Sequence, residues 1–270
     1  MSGALEKSLL ILELMARHPE GVPVSLVADT LDMPVSGAHR VLKELIRLGY
    51  VRQERNQGDY VLTIRLAAMG LNYLGRAGVV DIAQPILDRL AATSGELIRL
   101  GVLEGERIIY VANAQGATMG LRYDPGPEQG TALHLANSSG GHCYLATLSD
   151  DEALRIVSEQ GLLPTVFEPI ANTPRSLTDL LAILAETRAR GYGVAVNSYH
   201  EGMAAMAMPV RRDGTGAVVG ILSIAGPEAR LTAARREALA PALRDAVGEL
   251  GRAVDASAFF RATRTESHPA

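Results

Sequence analysis

Pro34-Val35-Ser36-Gly37-Ala38-His39-Arg40-Val41-Leu42-Lys43-Glu44-Leu45-Ile46-Arg47-Leu48-Gly49 reads as a helix with two unlike faces. Ala38, Val41, Leu42, Leu45 and Leu48 recur at helical spacing and define an inner face, with Gly49 where helices commonly stop. The same period turns Ser36, Gly37, His39, Arg40, Lys43 and Arg47 outward. Upstream, Leu5, Leu9, Leu12, Met15 and Ala16 mark a first helix that Pro19-Glu20-Gly21 ends. A second short helix, from about Ser25 to Leu31, precedes the turn Asp32-Met33-Pro34. Downstream, Tyr50–Glu54 is strand-like, Arg55-Asn56-Gln57-Gly58 is turn chemistry, and Asp59–Leu62 is the return strand. Three helices and a hairpin of this size predict a winged helix-turn-helix over residues 1–65.

Charge follows that geometry. Residues 35–65 hold Arg40, Lys43, Arg47, Arg52, Arg55 and Arg65 against Glu44, Glu54 and Asp59. The preceding stretch holds Lys7 and Arg17 against Glu6, Glu13, Glu20, Asp29 and Asp32, so the positive excess is confined to the third helix and the wing. Small residues opening a helix allow close approach to a groove, and cations behind them reach bases and phosphates. The candidate DNA contacts are Ser25, Ser36, Gly37, His39, Arg40, Lys43 and Arg47, with Arg52 and Arg55 on the wing. The partner expected is double-stranded operator DNA. A solvated helix face that binds only protein is the alternative.

Residues 66–93 read as linker helices, with Leu66, Met69, Tyr73 and Leu74, then Ile82, Ile86, Leu87, Leu90 and Ala91 on apolar faces. Residues 94–260 alternate strands and helices irregularly. Leu97–Leu103 and Ile108–Ala114 flank the hairpin signal Glu104-Gly105-Glu106-Arg107. Capping patterns at Ser149 and Ser176 open helices that stop at Gly161 and Gly191. Tyr192–Ser198, Met203–Val210 and Ala217–Ala225 read as strands, and a long helix starts near Thr232. The fold class expected is α+β, the winged module being joined by a linker helix to this larger domain.

At 270 residues, 47% hydrophobic and 21% charged, the chain has ordinary globular composition. No apolar run reaches the roughly 18 residues of a membrane span. The start of the chain shows no cleavage-site pattern, and the one cysteine, Cys143, suits a reducing compartment, so a cytoplasmic location is expected. Enzyme signals are missing: no Gly-x-Ser-x-Gly elbow, no Walker loop and no His-Glu-x-x-His. Gly214-Thr215-Gly216 falls in a hairpin and reads as a turn. His134, His142 and Cys143 fit no compact zinc spacing, and neither metal nor cofactor is expected.

Several segments are shared with a known family. Leu5-Glu6-Lys7-Ser8-Leu9-Leu10-Ile11-Leu12-Glu13-Leu14 and Pro34–Leu42 resemble the DNA-binding domain of IclR-type transcriptional regulators. Leu133-His134, Gly141-His142-Cys143-Tyr144-Leu145-Ala146, Arg188-Ala189-Arg190-Gly191-Tyr192 and Leu222-Ser223-Ile224-Ala225-Gly226-Pro227 follow in the family's order, so the resemblance spans about residues 4–255. It implies a GAF-like effector-binding domain and dimers or tetramers on operator DNA. It also implies an effector pocket at Tyr123, Leu133, Ser139, Gly140, Met203, Ala205 and Ser223. Departures accompany it. His142 stands where the family usually has lysine, Ala195 and Ala205 replace an acid and a cysteine, and Ala225 replaces a serine.

Two alanines in place of an acid and a cysteine enlarge and depolarise such a pocket. That favours an aromatic organic acid, such as a hydroxybenzoate, over a two- or three-carbon one. Ser138, Ser139, Gly140 and Gly141 open a helix whose backbone N–H groups suit a carboxylate, unless they are an N-cap and nothing more. The expected function is a ligand-responsive regulator, not an enzyme. A winged module whose second domain mediates protein interaction alone, without an effector, is the alternative.

Overall fold

The computed structural model describes residues 3–54, 58–117, 120–124, 129–163 and 170–257. They form two compact units, divided between Arg76 and Ala77.

The first unit begins with α1 (Ala4–Ala16), α2 (Val24–Thr30) and α3 (Val35–Arg47). The hairpin β1 (Val51–Gln53) and β2 (Tyr60–Leu62) follows, and then α4 (Ile64–Ala77). Ile11, Met15, Val27, Ala38, Leu42 and Tyr60 close the core that the three helices and hairpin share. The hairpin is antiparallel, with Val51 opposite Leu62, and Val22 bridges Tyr60 from the other side. This is the expected winged helix-turn-helix. Leu48, expected on the inner face of α3, is 40% exposed. The helix closes at Arg47, and Gly49 at φ +80 turns the chain away, so Leu48 falls outside the packed stripe.

The second unit opens with α5 (Val79–Ser94) and the hairpin β3 (Leu97–Glu104) and β4 (Arg107–Gln115). Three helices follow: α6 (Ser139–Leu145), α7 (Asp150–Gln160) and α8 (Leu177–Arg190). Both longer ones start with the expected capping boxes, Ser149 with Glu152 and Ser176 with Asp179. Then come β5 (Gly193–Val196), β6 (Met203–Arg211), β7 (Val218–Pro227) and α9 (Ala233–Ala253). The five strands form one antiparallel sheet in the order β4-β3-β7-β6-β5. On one face α5 and α9 pack Leu87 and Leu243 against Ile98, Met206, Leu222 and Ile224. On the other, Leu145, Leu180 and Leu184 gather with Ile108, Ala207 and Ile221. The architecture is α+β, as expected.

β5 is shorter than the strand expected over 192–198. Asn197 takes a left-handed φ of +48, and its side chain ties the following turn. Its amide donates to Glu228 at 2.7 Å and its oxygen accepts from the Gly202 N–H at 2.6 Å. α6 lies very close to β5: a Cβ on Gly193 would sit 2.2 Å from the Ser139 carbonyl oxygen. Glycine there lets the helix backbone rest on the strand and brings its first residues beside Ala195.

Candidate DNA-binding face and effector cleft

α3 presents Ser36, His39, Arg40, Lys43 and Arg47 as exposed residues, and Ser25 is exposed at the start of α2. Gly37 is half-buried, and a Cβ there would lie 3.6 Å from the Met33 methyl. The His39 ring stands edge-on to Tyr60 of the wing, 6.2 Å between centroids. Arg47 turns back along its own helix, its Nε donating to the Glu44 carboxylate at 2.9 and 3.0 Å. That bond holds the Glu44 carboxyl below the usual range. Arg52 pairs with Glu54 at 3.2 Å. Arg40 and Lys43 form no ion pair with any described residue. Both project from a helix whose first turn carries small side chains.

In the second unit a cleft of about 560 Å³, counting the space open at its mouth, lies beside α6. Its floor is a row of alanines, Ala225, Ala205 and Ala195, in register across β7, β6 and β5. Leu133, His134, Ser138 and Ser139 supply one wall, and Met203 adds apolar surface. At one side Arg99 of β3 lays its guanidinium 4.6 Å from the Tyr110 ring centroid and 5.7 Å from that of Tyr123. Beyond Tyr123 stands His200, 6.0 Å between ring centroids, with Tyr199 edge-on to it at 4.6 Å. The cleft therefore joins a cation, aromatic walls and a small apolar floor.

Next to the cleft, α6 is buried throughout. Ser138 caps it: its Oγ accepts from the Gly141 N–H at 3.1 Å and donates to the His134 carbonyl at 2.5 Å. A Cβ on Gly141 would lie 2.0 Å from the Leu135 carbonyl oxygen, so glycine here permits close packing. Both ring nitrogens of His142 meet carbonyls, Nδ1 at 2.9 Å from Val194 and Nε2 at 2.8 Å from Ala136. Only an imidazolium could donate to both. Burying a cation costs several kcal/mol, whereas a hydrogen bond to a charged group contributes about 1.5–3 kcal/mol. Burial wins, and holds the His142 pKa below its ordinary value against the pull of the two carbonyls. Burial also lowers His134, whose nitrogens approach Asn137 and the Gly161 backbone without reaching hydrogen-bond geometry. Burial pushes the Cys143 thiol far up, leaving it an apolar residue of the core.

Comparison with known proteins fixes the family. Residues 4–55 match the IclR helix-turn-helix domain, and residues 71–252 match the bacterial transcriptional regulator IclR C-terminal model. The chain belongs to the IclR family. IclR regulators are DNA-binding transcription factors rather than enzymes; they bind operator DNA, are typically oligomeric and respond to small-molecule effectors. The HTH-type transcriptional repressor AllR of Escherichia coli K12 is 27% identical over 251 residues, covering 93% of this chain and 90% of the relative. AllR of Salmonella typhimurium is 28% identical over 254 residues, covering 93% and 89%. Among solved structures, an IclR regulator from Alicyclobacillus acidocaldarius matches with a TM-score of 0.75 at 23% identity, covering 93% of this chain and 98% of that one. An IclR homolog from Microbacterium hydrocarbonoxydans, complexed with 4-hydroxybenzoate, matches at 0.75 and 22% identity, covering 94% and 100%. Among the described residues, no helix is long and apolar enough to cross a membrane and no cluster of metal-ligating side chains occurs.

Within this IclR chain the structure gathers Tyr123, Leu133, Ser138, Ser139, Met203 and Ala205 around one cleft. Gly140, Gly141 and Ser223 are not among its lining residues. Gly140 faces Leu133 and Ile221, where a Cβ would approach to 2.8 and 3.0 Å. Ser223 is fully buried on β7, in register with Arg99 on one side and Ala207 on the other. On the DNA side Gly37 is half-buried, Arg47 and Arg52 are held by acids, and Arg55 lies outside the described residues. The sequence reading passed over Arg99, Tyr110, Tyr199 and His200. For Arg99 there was a signal: one charge inside the apolar run Leu97-Ile98-Arg99-Leu100.

Proposed function

We propose that this regulator senses a small aromatic acid in the cleft beside α6, with the acid group at Arg99. The observation that carries it is a guanidinium over the Tyr110 ring and near that of Tyr123, beside a floor of alanines. A carboxylate accepts a bidentate pair of N–H bonds from such a group. A ring in the same cleft would meet Tyr123, His200 and the alanine row. The 4-hydroxybenzoate bound by the Microbacterium relative is an acid of this class and supports the choice. The relatives named AllR are repressors, and repression is the sign we propose here. Arg40 and Lys43 are the proposed groove contacts, on dimers that meet an inverted repeat.

Calorimetric titration of the purified protein with 4-hydroxybenzoate, benzoate, pyruvate and glyoxylate tests this. The aromatic acids should bind, and Arg99→Met should weaken them by about 1.5–3 kcal/mol, the value of a hydrogen bond to a charged group. Preference for pyruvate or glyoxylate would reject the aromatic reading. Unchanged affinity in Arg99→Met would move the acid group elsewhere.

A further inference from the structure

Tyr123 belongs to a short segment, residues 120–124, that belongs to neither the sheet nor a helix. Leu121 is 69% exposed, and the Tyr123 ring packs against Arg99 and His200. Two polar side chains tie the backbone of the segment. Gln115, the last residue of β4, donates from Nε2 to the Tyr123 carbonyl at 2.9 Å. Arg230, in the turn after β7, donates from Nη1 to the Leu121 carbonyl. The same guanidinium is fixed from behind by Glu96, Nε to Oε1 and Nη2 to Oε2, both at 2.7 Å.

Glu96 is 4% exposed and stands just before β3, three residues from Arg99. Gly226 keeps space for it: a Cβ there would lie 2.3 Å from Glu96 Oε2. A buried carboxylate needs a cation, and a bidentate arginine supplies one in fixed orientation. The third nitrogen of that arginine then points at a backbone group of the segment carrying a cleft side chain. A lysine could neutralise Glu96, but its single nitrogen could not reproduce the fork and also reach Leu121.

We infer that Arg230, oriented by Glu96, is a positioning residue that holds Tyr123 against the cleft and so slows release of the bound acid. The ligand half of this statement rests on the function proposed above; the positional half does not. The chain contains no tryptophan, so Tyr123→Trp places a single indole reporter on the segment. In that background Arg230→Lys should raise the acrylamide quenching constant at least threefold while the melting temperature stays within two or three degrees. A second pair, Glu96→Gln with Arg230→Met, removes both charges together and should give the same rise without an orphaned buried carboxylate. Quenching that is unchanged in both backgrounds would overturn the inference. With tyrosine restored at 123, 4-hydroxybenzoate should leave Arg230→Lys at least five times faster than wild type, and an equal off-rate would overturn the role in release. Failure of every aromatic acid to bind wild type would remove the effector reading and leave the quenching comparison intact.

Discussion

Acidification should destabilise the second unit through His142. The imidazole lies fully inside the protein with both nitrogens on carbonyls, and burial keeps its pKa below the ordinary histidine value. Unfolded, the same ring takes up a proton at a pKa of about 6.5. Below that pH the unfolded chain binds a proton that the folded one refuses, so stability falls as pH drops until the native ring also titrates. If the native ring stays neutral throughout, passing from pH 7.5 to pH 5.5 removes about 1.4 kcal/mol, or about 3–6 °C in a unit of this size. Urea unfolding followed by circular dichroism at pH 7.5, 6.5 and 5.5 measures it, against His142→Gln. The glutamine amide can donate to a carbonyl without titrating, so the variant's pH dependence should be shallower whatever its absolute stability. His134, half-buried and lowered for the same reason, leaves part of the slope in place. Equal slopes in wild type and variant would refute the argument. A wild-type stability that rises on acidification would mean that both ring nitrogens are protonated, each donating to its carbonyl.

Other consequences are separable. Arg40→Ala with Lys43→Ala should weaken operator binding and, if both touch phosphate, lower the salt slope by about 2 per protomer; Arg47→Ala should do less because Glu44 already holds that guanidinium. A filter-binding salt series checks this, and an unaltered footprint in the double variant would remove α3 from the groove. Gly140→Val should lower stability by about 1–3 kcal/mol, because the new side chain meets Leu133 and Ile221. A melting curve equal to wild type would contradict that packing role. An acid that changes operator affinity must have its own affinity changed by operator DNA by the same factor. Titrating the acid with and without operator tests that equality.

The winged module was legible because its evidence is local. Helical period, a glycine stop and a two-strand hairpin each occupy a few consecutive residues, and the charge excess sits on the same stretch. Leu48 shows the limit of that reading: periodicity extended the inner stripe one residue beyond the point where Gly49 turns the chain. The cleft was less legible because its parts meet through sheet register. Ala195, Ala205 and Ala225 become neighbours only when β5, β6 and β7 pair, and no spacing along the chain announces that row. Ser223 shares the row of Arg99, yet it is fully buried and Arg99 is not. Which of the two the cleft reaches depends on how α6 and the segment carrying Tyr123 cover the sheet.

The placement of Arg99 also bears on how an effector could act. Successive residues of a strand face opposite sides of the sheet. On β3, Arg99 faces the cleft, whereas Ile98 and Leu100 join Ile86, Leu87 and Leu90 of α5 in the core of the opposite face. α5 begins at Val79, three residues after the division at Arg76, and α4 leads into it from the winged unit. An acid held at Arg99, as proposed above, would touch a strand whose reverse side carries α5, the first helix of the second unit. Contact alone does not make a signal, because a ligand shifts an equilibrium only by its differential affinity for two states. The sheet is a single layer there, so a change in the path of β3 at Arg99 would meet the close-packed seam between Ile98, Leu100 and α5.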